Sequence, residues 1–136
     1  MSPIAICTVC SREKSDDADP VPARERYLGS HVALVAQYAA EQGLPFFILS
    51  GVYGFISAEA PILGYDHLFS ESEVAALAPT VYLQLKKLGI EKIHFYTKTK
   101  PGWIPYRKVL EIATATEGLA IQLHIHELSE GDSPPP

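Results

Sequence analysis

Short apolar runs, too brief to be helices, alternate along this chain with longer segments whose apolar residues recur at helical spacing. The runs are Pro3 to Thr8, Pro45 to Leu49, Lys92 to Tyr96 and Ala120 to His126, and each reads as a strand. Between them, Ser30 to Gln42 places Val32, Val35, Ala36 and Ala39 on one helical face, with Ser30 as the expected cap and Gly43 as the stop. A second helix is expected after Ser70, where Ser70 and Glu73 form a capping box; it runs through Val74, Leu77, Val81 and Leu85 to Gly89, with Pro79 expected to kink or break it. A third covers Tyr106 to Thr116 and ends near Gly118. Such strand–helix alternation predicts a mostly parallel four-stranded sheet in a Rossmann-like three-layer α/β sandwich, because each crossover must return the chain to the same edge of the sheet.

The intervening stretches are irregular by composition. Ser11 to about Pro22 is rich in Ser, Asp and Pro and reads as a loop, and Val52 to Phe69, punctuated by Gly54, Pro61 and Gly64, is not expected to form one regular element. The loop Thr97 to Pro105 carries a Lys-Pro-Gly turn. With 136 residues and 47% hydrophobic content, one domain over 1–128 suffices, followed by a disordered Pro-rich tail at 129–136. No leader signature and no apolar run near the ~20 residues of a membrane span is present, so the expected location is the cytoplasm, away from any membrane.

The net charge of −5 argues against a general nucleic-acid binder. Local charge runs the other way: Arg12, Lys14, Arg24, Arg26, Lys98 and Lys100 lie in segments that follow expected strands. Cys7 and Cys10 form a C-x-x-C, but Cys7 sits within an apolar run and no second tight cysteine pair exists, so neither a metal site nor a cofactor is expected. His124 and His126 fall in an alternating strand.

In open α/β sheets ligands bind beyond the carboxyl ends of the strands. That rule selects Cys10-Ser11-Arg12-Glu13-Lys14, Tyr27-Leu28-Gly29-Ser30-His31, Ser50-Gly51-Val52-Tyr53-Gly54-Phe55 and Thr97 to Trp103. Gly29 and Ser30 at a helix start read either as an ordinary cap or as an anion site, with Arg12, Lys14, Arg24 and Arg26 close in sequence. The glycines of Ser50-Gly51-Val52-Tyr53-Gly54 permit close backbone approach to a flat ligand stacked on Tyr53, or simply make a turn. Tyr65-Asp66-His67 pairs an acid with a histidine on the same face; Asp66 is the candidate catalytic group, against its reading as a turn former.

Cys10-Ser11 with Lys14, Ala23 to Tyr27 leading to Gly29-Ser30, Phe47-Ile48-Leu49-Ser50-Gly51 with Tyr53-Gly54, and Tyr65-Asp66 together resemble a family of small uncharacterised bacterial α/β proteins over residues 4–97. The L-S-G-x-Y-G portion is similar to the YaaA-like peroxide-stress proteins, and the Cys-Ser-x-x-Lys start is distantly similar to the uracil-DNA-glycosylase-like domains of archaeosine synthases. Gly64 stands where a proline is usual, and Asp66 where the YaaA-like group has an arginine. The resemblance implies a nucleobase or nucleic-acid connection. Two functions follow as expectations: an enzyme acting on a nucleotide or nucleobase by N-glycosidic cleavage or base exchange, or a non-catalytic nucleotide or nucleic-acid binding module in a stress or defence pathway. The partner in both is a phosphate-containing small molecule or nucleic acid, with Ser11, Lys14, Arg26 and Ser30 holding phosphate and Cys10, Tyr27, Gly29, Ser50, Gly51, Tyr53, Gly54 and Tyr65 completing the ligand site around Asp66. A structural role in a larger complex is the third alternative. The oligomeric state is left open by the sequence.

Overall fold

A computed structural model describes residues 3–129. Strand β1 (Ile4–Val9) is followed by the two-residue β2 (Val21–Pro22), the short helix α1 (Ala23–Arg26) and α2 (Ser30–Gln42). Then come β3 (Phe46–Ser50), β4 (Gly54–Ser57), β5 (Pro61–Ile62) and α3 (Val74–Leu88), which is entered through a 3-10 turn at Glu71–Glu73. The chain closes with β6 (Lys92–Thr97), α4 (Ile104–Ala115) and β7 (Gln122–Glu127).

The fold is mixed α/β, with one sheet ordered β4-β3-β1-β6-β7 and a small β2-β5 ribbon. β3, β1, β6 and β7 run parallel, while β4 returns antiparallel to β3, with Leu49 opposite Phe55 and Ser50 opposite Gly54. The expected four-stranded sheet is therefore corrected to five. The missed strand lies inside Val52 to Phe69, where Gly54 marks the end of a tight turn rather than the absence of structure; its φ of 79° is a conformation that glycine adopts without strain.

Apolar alternation along the central strands explains the layering. Ala5, Cys7 and Val9 of β1 join Val74, Leu77, Val81 and Leu85 of α3 and Tyr106, Val109 and Leu110 of α4 in the larger core. Ile6, on the opposite face of β1, meets Val35 and Ala39 of α2 in a smaller one. Both long stops are glycine: Gly43 and Gly89 take φ of 65° and 68°, and their N–H groups close onto the last turns of α2 and α3.

Three local expectations change. Gly29, not Ser30, is the N-cap of α2, and Ser30 is its first helical residue. Pro79 does not interrupt α3, whose buried face of Val74, Leu77, Ala78, Val81 and Leu85 continues through it. α4 begins two residues early, with Pro105 in its first turn, where no intrahelical N–H is needed. Of the expected tail 129–136, all but Ser129 lies outside the described residues. No helix among those described is long and apolar enough to cross a membrane.

Candidate functional site

The loop after β1 is positioned by backbone pairing to the segment before α2. Lys14 bridges Tyr27, Ser15 N–H donates to Arg26 O at 2.8 Å, and Leu28 N–H donates to Glu13 O at 2.9 Å. Arg26 fixes the rest of the loop: its guanidinium donates to the carbonyl oxygens of Ser15 (2.6 Å), Asp17 (3.0 Å), Asp19 (2.8 Å) and Ile62 (3.3 Å). Its side chain is buried, and four of its donor contacts end on backbone. The expected phosphate ligand is thus a scaffold residue.

Ser11 is likewise turned inward. Its hydroxyl donates to Glu13 O at 2.7 Å and accepts from Gly29 N–H at 3.1 Å, so Ser11 ties the loop to the N-cap residue of α2. Gly29 is packed so closely that a Cβ there would lie 2.8 Å from Ser11 Cβ and 2.7 Å from His31 Cε1. His31 is buried against the same loop, with Nε2 at 2.9 Å from Val9 O and 3.2 Å from Cys10 O. Two carbonyl acceptors require that Nε2 carry the proton, and burial pushes the imidazole pKa down, which keeps it neutral. Ser30 is exposed at the surface of α2.

Behind the loop, three hydroxyls close a ring. Tyr27 Oη donates to Ser50 Oγ at 3.1 Å; Ser50 Oγ and Tyr65 Oη are 3.1 Å apart, and Tyr65 Oη and Tyr27 Oη 2.7 Å apart. One proton per hydroxyl satisfies the ring when Ser50 donates to Tyr65 and Tyr65 to Tyr27. Ser50 Oγ also accepts the N–H groups of Val52 (3.1 Å) and Tyr53 (3.0 Å), which sets the turn into β4. Burial raises the pKa of Tyr27 and Tyr65, so both phenols stay protonated. Cys10 Sγ donates to Tyr106 Oη at 3.4 Å, and burial pushes the Cys10 thiol pKa up as well; it is not an activated nucleophile. Cys7 and Cys10 are both free and buried, and among the described residues no group of three or more potential ligands is arranged to hold a metal.

In front of the ring opens a cleft of about 300 Å³ lined by Arg12, Lys14, Tyr65, Asp66, His67 and Leu68. Lys14 Nζ lies 4.4 Å from the centre of the Tyr65 ring, and desolvation lowers its pKa while the charge of Asp66 works against that drop. His67 Nε2 is 2.6 Å from Glu73 Oε1. The Ser70 N–H donates to the other oxygen of Glu73 at 2.9 Å and, as the largest cause, holds the Glu73 pKa down. The capping box that starts the helical segment therefore also orients a histidine at the cleft.

The structure thus brings Lys14, Tyr65 and Asp66 to one opening, with Cys10, Ser11, Arg26, Tyr27, Gly29 and Ser50 in the wall that supports them. Gly51 packs on Phe69, where a Cβ would lie 2.7 Å from Phe69 Cβ, and Tyr53 braces Tyr65 edge-on at 5.7 Å without lining the cleft. Gly54 is packed against the Gln84 side chain. The remaining basic residues lie elsewhere: Arg24 pairs with Glu59, Lys108 with Glu71, and Lys98 stands 5.4 Å from the centre of the buried Trp103 ring. Sequence reasoning did not select His67 and Glu73 as a pair; their link was present only as the S-x-x-E capping pattern that begins three residues after His67 and places Glu73 six after it. Family models, curated proteins and solved structures contain no match to this chain.

Proposed function

We propose that this cleft binds a nucleotide-like substrate and cleaves or exchanges its N-glycosidic bond, within a Rossmann-like three-layer sandwich working in the cytoplasm. The observation that carries the proposal is the convergence of two cations, a carboxylate and a carboxylate-held histidine on one opening walled by Tyr65. The choice of a nucleobase rests on the motif resemblance to glycosylase-like and YaaA-like proteins.

Each group has a role that its chemistry permits. Arg12 and Lys14 hold phosphate, taking the place first expected for Ser11 and Arg26, which are bonded into the scaffold, and for Ser30, which is exposed on α2. Asp66 opposes the positive charge that grows on the sugar as the bond to the base breaks. Glu73, ionised, accepts the proton-bearing Nε2 of His67, which leaves Nδ1 as the basic nitrogen to take a proton from water or from an exchanging nucleophile.

The binding-module reading is favoured by a different observation. Leu28, Val52, Leu63 and Leu68 are exposed on the loops at this end of the sheet, and apolar side chains around a charged cleft suit a ligand larger than a mononucleotide. One experiment separates the two. Nucleosides, nucleotides and oligonucleotides are incubated with the protein, and release or exchange of base is followed by chromatography, alongside direct binding. For the enzyme, Asp66→Asn lowers turnover by about a hundredfold or more with binding retained, the scale of losing one transition-state electrostatic contact. Binding without turnover by the natural protein supports the module, and neither binding nor turnover across the panel overturns both.

A further inference from the structure

The two edges of the main sheet are finished differently. At the β4 edge, Gln84 of α3 covers the strand: its Oε1 accepts the Phe55 N–H at 2.7 Å and its Nε2 donates to Tyr53 O at 2.9 Å. Two backbone groups on the outer side of this edge are thus already paired with a side chain, and β4 is only four residues long.

At the other edge β7 has six residues and, among the described residues, no element beyond it. Gln122 N–H donates to Glu91 O and Leu128 N–H to Thr97 O, so the even-numbered residues of this parallel strand turn their backbone groups toward β6. Leu123, Ile125 and Glu127 consequently present N–H and C=O outward. The usual protections of an edge are missing from Gln-Leu-His-Ile-His-Glu: it has no proline and no lysine, and its register with β6 runs without a bulge from Gln122 to Glu127. Its single charged residue, Glu127, accepts a hydrogen bond from Thr99 Oγ1 at 3.3 Å.

We propose that β7 is a self-association edge, and that two copies of this chain pair their β7 strands antiparallel about a twofold axis, continuing the sheet from one copy into the other. The occupant is chosen by the strand's own sequence. With the axis at His124, Leu123 of one copy stands opposite Ile125 of the other, and both are outward-facing residues, so they exchange both N–H···O bonds, and do so again across the axis. The same register sets the half-buried Leu123 and Ile125 side chains together on the face that packs toward the larger core, and Gln122 beside His126 on the other. An isologous pair needs this self-complementarity, and no charge opposes a like charge in it while the histidines are neutral.

The test is the mass of the full chain in solution at neutral pH, by sedimentation equilibrium from micromolar to near-millimolar concentration. A reversible dimer is expected. Ile125→Pro removes an N–H that the chain itself does not use and that the pairing uses twice; it raises the dissociation constant by about tenfold or more, two hydrogen bonds' worth, with the circular-dichroism spectrum unchanged. Because that variant can fail to fold, trapping provides a second readout. His124→Cys places two thiols at a non-hydrogen-bonded pair on the axis, where Cα atoms lie roughly 4.5 Å apart, and mild oxidation links the copies. Gln122→Cys, which faces a different residue across the axis, links far less, and Cys7 and Cys10 are buried and silent. A chain that stays monomeric throughout, or a dimer that is not trapped at 124 or is trapped equally at 122, overturns the proposal.

Discussion

Ser50 carries more of the site than any residue whose side chain reaches the cleft. Its hydroxyl is the meeting point of Tyr27, Tyr65 and two backbone N–H groups, and it has no exposed surface. Ser50→Ala leaves those donors without an acceptor in a place water does not reach; we expect a loss of about 2–3 kcal/mol, read as a lower denaturant midpoint with an unchanged slope. Because Tyr65 both belongs to the ring and walls the cleft, the same variant weakens ligand binding beyond what its stability loss alone produces. At this scale the sequence was partly legible. Lys14, Tyr65 and Asp66 were selected by their place after strands and in an irregular segment, and they do share one opening. Ser11, Arg26 and Ser50 were selected with them as ligand contacts, yet their polar atoms point into the protein, because residue type announces a donor without announcing which carbonyl will be near it.

At the scale of elements, the long periodic pieces were readable and the short ones were not. α2 spans the expected Ser30 to Gln42, and both glycine stops hold, since a glycine at positive φ is a local signal needing no partner. β4 was missed because its four residues pair with β3 only after the chain has turned at Gly51–Tyr53, and its outer side depends on Gln84, thirty residues away in sequence, for the role a neighbouring strand would play. That dependence gives a prediction at the same scale. Gln84→Leu keeps the apolar stem and removes both polar contacts, so Phe55 N–H and Tyr53 O lose their partners. We expect a cost of about 1–3 kcal/mol and faster hydrogen exchange at the Phe55 amide, with exchange in β6 and β7 changed only as far as global stability falls. Equal acceleration in β7 and β4 would mean that Gln84 acts on the whole fold and does not guard the edge.

For the whole molecule, the groups that burial perturbs bracket a range of pH in which the fold is most stable. His31, buried beside the loop that builds the site, and His94, stacked on His124 and within hydrogen-bond distance of His126, both have pKa values pushed down, chiefly by desolvation. A base with a lowered folded pKa stays neutral in the native chain while the unfolded chain takes up a proton. The stability it contributes is complete above the unfolded value of about 6.5 and is lost as pH falls through the folded values. Glu73, whose pKa is lowered by the Ser70 N–H, shifts stability in the same direction but only below the carboxylate range near about 4.5. The phenols of Tyr27, Tyr65 and Tyr106 are raised, so their contribution is full below about 10 and declines above it. The thermal midpoint should therefore be level from about pH 7 to 9 and should fall between about pH 6.5 and 5, above the range in which most carboxylates take up their protons. His94→Asn removes one of the two titrations and should flatten that fall without abolishing it, because His31 remains. The residual slope then belongs to the imidazole whose Nε2 proton joins β1's last carbonyl to the start of α2, so acid sensitivity left in His94→Asn reports directly on the loop that shapes the cleft. An unchanged slope in His94→Asn would assign the acid loss to His31 alone, and a level midpoint down to about pH 5 in the natural chain would contradict the neutral state of both.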